Sequence, residues 1–304
     1  DAIGALGKPV ETVGQRWQPR SLLKGMRPHQ WLKNLLLLLP LLAAHEFSWG
    51  AWLPALLMVV AFSATASSVY LTNDLFDLAT DRVHPEKQFR PIASGALPIK
   101  VAMIASALLA ILGVALSALV GWVTLGLILF YVLLTLTYSA FLKKVKRVDM
   151  VVLASLYTLR VITGAAAAAI PLSTWLIAFC LALFFTLTAV KRLGGLSRAE
   201  AETRLPGRGY SGTDRHAVLW TGYAGAAVAG LVFLAYSFSA DAARLYSELW
   251  ALRLSGFAIM VWTLRLVRIS VAGLGVYDPV VFVTKDKVGF LILLTAVAGW
   301  IWAL

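Results

Sequence analysis

The sequence predicts an all-α, polytopic membrane protein, and three observations lead to that fold class. Hydrophobic residues make up 60% of the 304 positions and charged residues only 14%, which excludes an ordinary soluble domain. Several uncharged runs approach the roughly 20 residues that a helix needs to cross a bilayer. The runs are continuously apolar, whereas the strands of a membrane barrel alternate between apolar and polar residues.

Nine transmembrane helices are predicted within a single transmembrane domain at residues 22–304, after a polar linker at residues 1–21. The linker begins with Asp rather than Met, and we expect it to follow from a processed or longer chain. In chain order, the predicted spans are residues 22–44, 51–76, 98–119, 121–142, 149–170, 172–192, 214–238, 246–269 and 283–303.

The charged residues are distributed unevenly between the predicted loops, and the formal net charge is +12. Lys and Arg precede the first span and follow spans two, four, six and eight, whereas the intervening loops are nearly free of them. The positive-inside rule therefore predicts an inner (plasma) membrane protein whose N-terminus, basic loops and active site face the cytoplasm. The excess charge records this topology, and no nucleic acid partner is expected. The single cysteine, Cys180, excludes an intramolecular disulfide.

A short acidic motif follows the second predicted span. Asp74, Asp77 and Asp81 stand at positions i, i+3 and i+7, which places them on one face of a helix. Proteins usually hold Mg²⁺ with one or two carboxylates together with substrate phosphate oxygens. The three aspartates are therefore predicted to be catalytic and to bind the metal, and Asn73 adds a neutral oxygen beside them. A solvated helix end with fortuitous acids is the alternative.

Basic side chains gather at the same predicted membrane face. Each of them alone is typical of a loop charge, but around a metal-binding acidic face they favour a phosphate or diphosphate ligand. The predicted substrate-binding residues are these basic side chains together with Asn73 and Tyr138. They are Arg27, Lys33, Asn73, Lys87, Arg90, Tyr138, Lys143, Lys191 and Arg192.

Arg160 lies in the middle of the fifth predicted span. An arginine within the membrane costs several kcal/mol unless it faces a polar cavity or a partner. We therefore predict that Arg160 binds substrate or forms a structural ion pair, and its partner is either a phosphate or a carboxylate such as Asp149.

Four segments carry a resemblance to a known family. The N-D-x-x-D-x-x-x-D run at 73–81, the H-P-x-K-x-x-R-P run at 84–91, RPHQWLKN at 27–34 and the Tyr138–Lys143 segment resemble the UbiA superfamily of intramembrane prenyltransferases. The resemblance covers about residues 22–303. It implies a helical bundle around a central cavity open to the cytoplasmic side, with Mg²⁺ and a diphosphate bound at the first Asp-rich motif.

One departure from that family narrows the expected chemistry. Members that prenylate aromatic rings carry a second Asp-rich motif after span six, but here no Asp lies between Asp149 and Asp214. The chain instead resembles the branch of decaprenyl-phosphate phosphoribosyltransferases. That resemblance implies transfer of 5-phosphoribose from phosphoribosyl diphosphate to a polyprenyl phosphate, in cell-wall precursor synthesis. The segments at 207–210 and 277–282 resemble relatives with an upstream phosphatase-type domain.

Two other functions are considered. The first is prenyl transfer from a prenyl diphosphate to an aromatic or other small acceptor, with the same acidic motif binding the diphosphate. The second is a transporter or lipid carrier, which would place polar residues near the membrane midplane. The second is disfavoured, because nearly all polarity except Arg160 lies at one predicted face.

Overall fold

The computed structural model describes residues 17–197, 208–272 and 286–304, and every element within these ranges is helical. Within these ranges, seven helices are long and apolar enough to cross a membrane, as a multi-pass membrane protein requires. The α-helices are α1 (Pro19–Met26), α2 (Leu39–Ala43), α3 (Trp49–Phe76), α4 (Leu78–Val83), α5 (Ile99–Val120), α6 (Trp122–Ala140), α7 (Val148–Ala167), α8 (Thr174–Leu196), α9 (Arg215–Ser237), α10 (Ala240–Leu245), α11 (Leu249–Val271) and α12 (Lys287–Ala303).

Shorter 3₁₀ segments connect several of these helices. They cover Pro28–Leu38, Lys87–Phe89, Leu142–Lys144 and Gly212–Asp214. The helices of spanning length are α3, α5, α6, α7, α8, α11 and, with the turn before it, α9. These correspond to the second to eighth predicted spans, so the hydropathy pattern located them correctly.

The other two predicted spans differ from the structure. Residues 22–44 do not form one helix: α1 ends where Arg27 adopts a left-handed conformation (φ 57°), and the chain continues through a 3₁₀ segment into the short α2. Pro28 and Pro40 lack the amide hydrogen that a continuous α-helix would use at those positions. At the other end, α12 has 17 residues and begins at Lys287, and residues 283–285 lie outside the described ranges.

The chain divides into two compact units. The first unit comprises residues 1–32 and 61–115, and the second comprises residues 33–60 and 116–304. A single transmembrane domain at residues 22–304 stays a prediction.

The core of the first unit holds α1 against the C-terminal end of α3. Leu71, Ile92 and Leu97 are buried together, so the chain after α4 packs back on α3. Trp31 Nε1 donates a hydrogen bond of 3.0 Å to Ser67 Oγ, which in turn donates one of 3.0 Å to the carbonyl of Met26. These contacts place the residue after Met26, which is Arg27, beside the last turns of α3.

The second unit is built around α7, α8, α9 and α11. Its largest buried cluster includes Val190, Leu193, Leu266 and Val267. Gly164 of α7 packs directly on the backbone of the 28–38 segment, since a Cβ there would lie 1.8 Å from the Leu37 carbonyl oxygen. Close backbone approach at a small residue is typical of membrane helix packing.

An ion pair joins α11 to the start of α12. Arg265 Nε and Nη2 donate hydrogen bonds of 3.0 Å each to the two carboxylate oxygens of Asp286. This contact, opposed in part by burial, holds the pKa of Asp286 below its ordinary value.

Candidate active site

The acidic motif lies where α3 passes into α4. The helix is irregular at Asp77, but the Asp77 amide still bonds to the Asn73 carbonyl at 2.9 Å and the Asp81 amide to the Asp77 carbonyl at 2.8 Å. The backbone therefore remains helical from Asn73 to Asp81. Two of the three carboxylates, Asp74 and Asp81, lie on one face as predicted. Asp74 and Asp81 are 4% and 1% exposed, whereas Asp77 is exposed to solvent.

Arginine side chains connect the two buried carboxylates. Arg90 Nη1 donates a hydrogen bond of 2.6 Å to Asp81 Oδ2 and one of 3.1 Å to Asp74 Oδ1. Arg27 Nη2 contacts both Asp74 oxygens, at 2.7 and 2.9 Å, and Lys87 Nζ lies 3.9 Å from Asp81 Oδ1. We call these five residues the Asp74 cluster. The structure thus brings together five of the predicted site residues.

Local structure explains why two of the cations reach the cluster. Arg27 occupies the left-handed position after α1, and its guanidinium lies 4.7 Å from the centre of the Tyr70 ring. His84 Nδ1 accepts hydrogen bonds from the amides of Glu86 and Lys87, at 3.2 and 3.3 Å. His84 therefore shapes the turn that carries Lys87 back toward Asp81.

The charges of the Asp74 cluster suit an anionic ligand that brings its own metal. Three cations lie within 4.0 Å of two carboxylates, so the cluster has a positive excess. Asp81 Oδ1 is buried and accepts no hydrogen bond from the part of the chain that the structure describes, so this oxygen is available as a metal ligand. Among the described residues, no group of three or more His, Cys, Asp or Glu is placed to hold a metal. With the phosphate oxygens of a ligand, the two carboxylates would form a coordination set of the kind that Mg²⁺ prefers.

A second ionic cluster lies in the second unit around Asp149, which is fully buried in the first turn of α7. Arg192 Nε donates to Asp149 Oδ2 at 2.5 Å, and Arg192 Nη2 to Oδ1 at 3.0 Å. Arg208 Nη1 donates to Oδ1 at 2.8 Å, and the Tyr138 hydroxyl donates to the same oxygen at 2.8 Å. We call these four residues the Asp149 cluster.

The loop after α8 reaches this cluster through a close backbone contact. A Cβ at Gly209 would lie 2.2 Å from the Lys144 carbonyl oxygen, so only glycine fits there. The next residue, Tyr210, is buried, and its hydroxyl accepts a hydrogen bond of 2.8 Å from the Arg147 amide. Burial raises the pKa of Tyr210, so its hydroxyl stays protonated. These contacts hold Arg208 over the Asp149 carboxylate.

Arg160 is buried in the second unit and surrounded by neutral oxygens and rings. Its guanidinium donates to Asn34 Oδ1 at 2.9 Å, to the Leu156 carbonyl at 2.6 Å and to the Tyr131 hydroxyl at 3.1 Å. The contact of Gly164 with Leu37 positions Asn34 for this role. A role of Arg160 in substrate binding stays a prediction.

The remaining predicted residues are located individually. Lys33 Nζ lies 5.8 Å from the centre of the Tyr157 ring, and Asn73 precedes Asp74 in a half-buried position. Lys143 is half-buried and Lys191 is exposed. Arg208 was not predicted from the sequence, although Gly209 beside it is a residue that permits close backbone approach, and Asp149 was predicted only as a partner for Arg160. The segment 277–282 lies outside the described residues.

A large apolar cavity also lies within the second unit. Its volume is about 960 Å³, and it is bounded by the ends of α7 to α12 that the basic loops do not connect. The lining includes Phe179, Val232, Ile259 and Trp300. The predicted central cavity open to the cytoplasmic side stays a prediction, because this cavity lies toward the other helix ends.

Sequence comparison with protein families identifies the fold and the enzyme class. The model of the UbiA prenyltransferase family matches residues 34–269. The chain belongs to the UbiA prenyltransferase family. It is therefore a transferase, as the sequence motifs predicted, and the reading as a transporter or carrier is set aside.

The curated proteins that this chain resembles include an enzyme and an uncharacterized protein. Decaprenyl-phosphate phosphoribosyltransferase from Mycolicibacterium smegmatis is 34% identical over 88% of this chain and 87% of its own length. The uncharacterized protein y4nM from Sinorhizobium fredii is 30% identical over 89% of this chain, which spans 53% of that relative.

A solved structure has the same fold. A UbiA homolog from Archaeoglobus fulgidus, bound to DMAPP and Mg²⁺, superimposes with a TM-score of 0.68 over 92% of this chain and 99% of its own. The two sequences are 15% identical, so the similarity concerns the fold alone.

Proposed function

We propose that this UbiA family member transfers a 5-phosphoribosyl group from phosphoribosyl diphosphate to a polyprenyl phosphate such as decaprenyl phosphate, with Mg²⁺, in cell-wall precursor synthesis. The observation that carries the proposal is the Asp149 cluster. At the end of α8, where a second Asp-rich motif would follow, Arg192 and Arg208 both bind one carboxylate. Two arginines at this position suit phosphate better than a second metal. The similarity to the mycobacterial transferase supports the same donor and acceptor.

The Asp74 cluster would bind the donor diphosphate. Arg27, Lys87 and Arg90 supply charge-assisted hydrogen bonds to its oxygens. Asp74 and Asp81 would hold the metal, and the exposed Asp77 is proposed to join them as a third ligand when the metal and the donor bind. Bound Mg²⁺ supplies charge neutralisation of the leaving diphosphate. Arg90 competes for the carboxylates that would hold the metal, since it bridges Asp74 and Asp81. Asn73, Lys33, Lys143 and Lys191 are proposed as further substrate contacts.

The proposed reaction needs little beyond positioning and electrostatics. The bond between the anomeric carbon and the diphosphate breaks, and a bond from that carbon to an oxygen of the lipid phosphate forms. The carbon passes through an oxocarbenium-like state, as in glycoside hydrolysis. The attacking phosphate is already ionised near neutral pH, so no general base is required. Preorganised cations are therefore the main catalytic contribution of the chain.

The apolar cavity of the second unit suits an isoprenoid chain. Its walls come from apolar and aromatic side chains, among them Phe179 and Ile259. Because lipid tails are as apolar as an isoprenoid chain, close packing against these walls would hold the chain in the cavity. We propose that the enzyme lies in the inner membrane with its N-terminus and basic loops in the cytoplasm, as the loop charges favour.

A second candidate is transfer of a prenyl group from a prenyl diphosphate to an aromatic or other small acceptor. The family description and the DMAPP-bound homolog favour it, and the Asp74 cluster suits any diphosphate. The two candidate functions differ in the donor, which is phosphoribosyl diphosphate in the first and a prenyl diphosphate in the second.

A binding experiment separates the donors. The purified protein in nanodiscs is titrated with phosphoribosyl diphosphate and with geranyl diphosphate, each with and without Mg²⁺, and thermal unfolding is followed. The proposal predicts a Mg²⁺-dependent rise in Tm with phosphoribosyl diphosphate that exceeds the rise with geranyl diphosphate. A rise with geranyl diphosphate alone would favour the second candidate.

A further inference from the structure

The Asp149 cluster contains more positive than negative charge. Among the described residues, two guanidiniums and one carboxylate are joined by direct hydrogen bonds, and the carboxylate is 0% exposed. Arg192 is also buried, with 5% of its side chain exposed. An uncompensated buried cation is costly, so the cluster is suited to receive an anion.

Both oxygens of the carboxylate are engaged by hydrogen bonds from the protein. Asp149 Oδ1 accepts hydrogen bonds from Tyr138, Arg192 and Arg208, and Oδ2 accepts from Arg192. A metal would have to displace an arginine from a buried contact. The role of Asp149 is therefore to orient the two arginines. The arginines themselves would donate hydrogen bonds to the ligand.

Arg208 has hydrogen-bond donors that its contacts within the cluster do not use. Its Nη1 contacts Asp149 Oδ1 and the Tyr138 hydroxyl, both at 2.8 Å, whereas its Nε and Nη2 make no hydrogen bond within the described part of the chain. Its side chain is 28% exposed. Nη1 is thus fixed by the protein, and Nε and Nη2 form the fork that can bind two oxygens of a phosphate.

We infer that Arg208, together with Arg192 and oriented by Asp149 and Tyr138, forms a metal-independent site for a phosphate monoester. The site deepens the proposed function, because both proposed substrates carry such a group: the head group of the polyprenyl phosphate and the 5-phosphate of the sugar donor. Gly209 and Tyr210 keep Arg208 in place through the 142–147 segment.

The test uses the full chain in nanodiscs without Mg²⁺. Dissociation constants are measured for farnesyl phosphate and for ribose 5-phosphate with the wild type and the Arg208→Gln, Arg208→Lys and Gly209→Ala variants. Arg215→Gln is the matched control, since this exposed arginine of the second unit donates to the Val271 carbonyl and has no contact with the cluster. Intact folding is checked by thermal unfolding.

We expect Arg208→Gln and Gly209→Ala each to raise the dissociation constant of one of the two ligands at least about tenfold, because a charge-assisted hydrogen bond is lost. Arg208→Lys should recover part of the affinity, and Arg215→Gln should change neither ligand. If only farnesyl phosphate binds more weakly, the site holds the lipid head group. If only ribose 5-phosphate binds more weakly, the site holds the 5-phosphate of the sugar donor. Equal affinities in wild type and Arg208→Gln, or no binding of either monoester by the wild type, would overturn the inference.

Activity assays separate this inference from the proposed function. Phosphoribosyl transfer with unchanged KM values in Arg208→Gln would retain the function and reject the site. Arg208-dependent binding of a monoester by a protein that transfers no phosphoribose would retain the site and reject the function.

Discussion

Arg208 and Asp149 are 59 positions apart in the sequence, and a hydrogen bond of 2.8 Å joins Arg208 Nη1 to Asp149 Oδ1. The bond ties the loop after α8 to the first turn of α7. Because Arg192 binds the same carboxylate, the end of α8 is linked to both. One buried aspartate therefore organises three segments of the second unit.

The first prediction concerns the stability contribution of that aspartate. Asp149→Asn leaves two guanidiniums around a neutral side chain, and removal of one partner from a buried ion pair costs roughly 3–5 kcal/mol. We expect a loss of that size in unfolding free energy, measured by denaturant unfolding in detergent. Glu248→Gln is the control, because Glu248 is exposed, and a change there should stay within about 0.5 kcal/mol. Equal stability of the two variants would contradict the role of Asp149.

A second prediction concerns the acidic motif. Asp74→Asn and Asp81→Asn should each lower kcat/KM for phosphoribosyl transfer by about 100-fold or more, and raise the Mg²⁺ concentration for half-maximal activity, because each removes a carboxylate from the proposed metal site. Asp77→Asn should have a smaller effect, since Asp77 is exposed.

Glu86→Gln serves as the matched control for the acidic motif, because Glu86 is an exposed acid of the same unit. Thermal unfolding is measured for all four variants, so that a folding defect is distinguished from a catalytic one. An unchanged Mg²⁺ requirement in folded Asp74→Asn and Asp81→Asn proteins would argue against the metal site.

A third prediction concerns the apolar cavity. Ile259 of α11 lines it, so Ile259→Trp fills part of the space and should raise KM for the polyprenyl phosphate several-fold while KM for phosphoribosyl diphosphate stays constant. Leu254→Trp on the same helix is the control, because Leu254 is 42% exposed and does not line the cavity. Both KM values are measured by steady-state kinetics in which the concentrations of the two substrates are varied. Parallel changes in the two variants would exclude the cavity as the lipid site.

A fourth prediction concerns pH. His45 has a left-handed backbone (φ 53°), its Nε2 is buried without a hydrogen bond in the described structure, and burial lowers the pKa of His45. The folded state then favours the neutral ring. Its contribution to stability is present above the unfolded pKa of about 6.5 and is lost as the pH falls through the folded value.

The measurement is Tm between pH 7.5 and pH 5. The wild type should lose more stability on acidification than His45→Asn, which does not titrate in this range and tolerates the left-handed conformation. If Tm falls with pH in the same way in both proteins, the titration of His45 does not contribute to the pH dependence of stability.

Hydropathy and helical spacing predicted most of the architecture and part of the site. The seven long helices followed from the lengths of apolar runs, and the shared face of Asp74 and Asp81 followed from their spacing of seven residues. The break in the first predicted span was missed because the wholly apolar run at residues 35–44 favoured one continuous helix, whereas Pro28 and Pro40 decide the backbone there.

Contacts between distant segments could not be predicted in the same way. Arg90 reaches both Asp74 and Asp81 only because the turn after α4 folds back through Ile92 and Leu97 onto α3. The position of Arg208 depends on a backbone contact between Gly209 and Lys144. Sequence spacing carries no information on such tertiary distances.

The identity of the donor is the central claim, and a transfer assay tests it most directly. Purified protein in nanodiscs is incubated with Mg²⁺, farnesyl phosphate and phosphoribosyl diphosphate labelled in the ribose. The account predicts that label moves into the lipid phase with release of diphosphate, and that Asp74→Asn abolishes the transfer. No labelled lipid from folded protein, with diphosphate instead released from geranyl diphosphate in the presence of an aromatic acceptor, would contradict it.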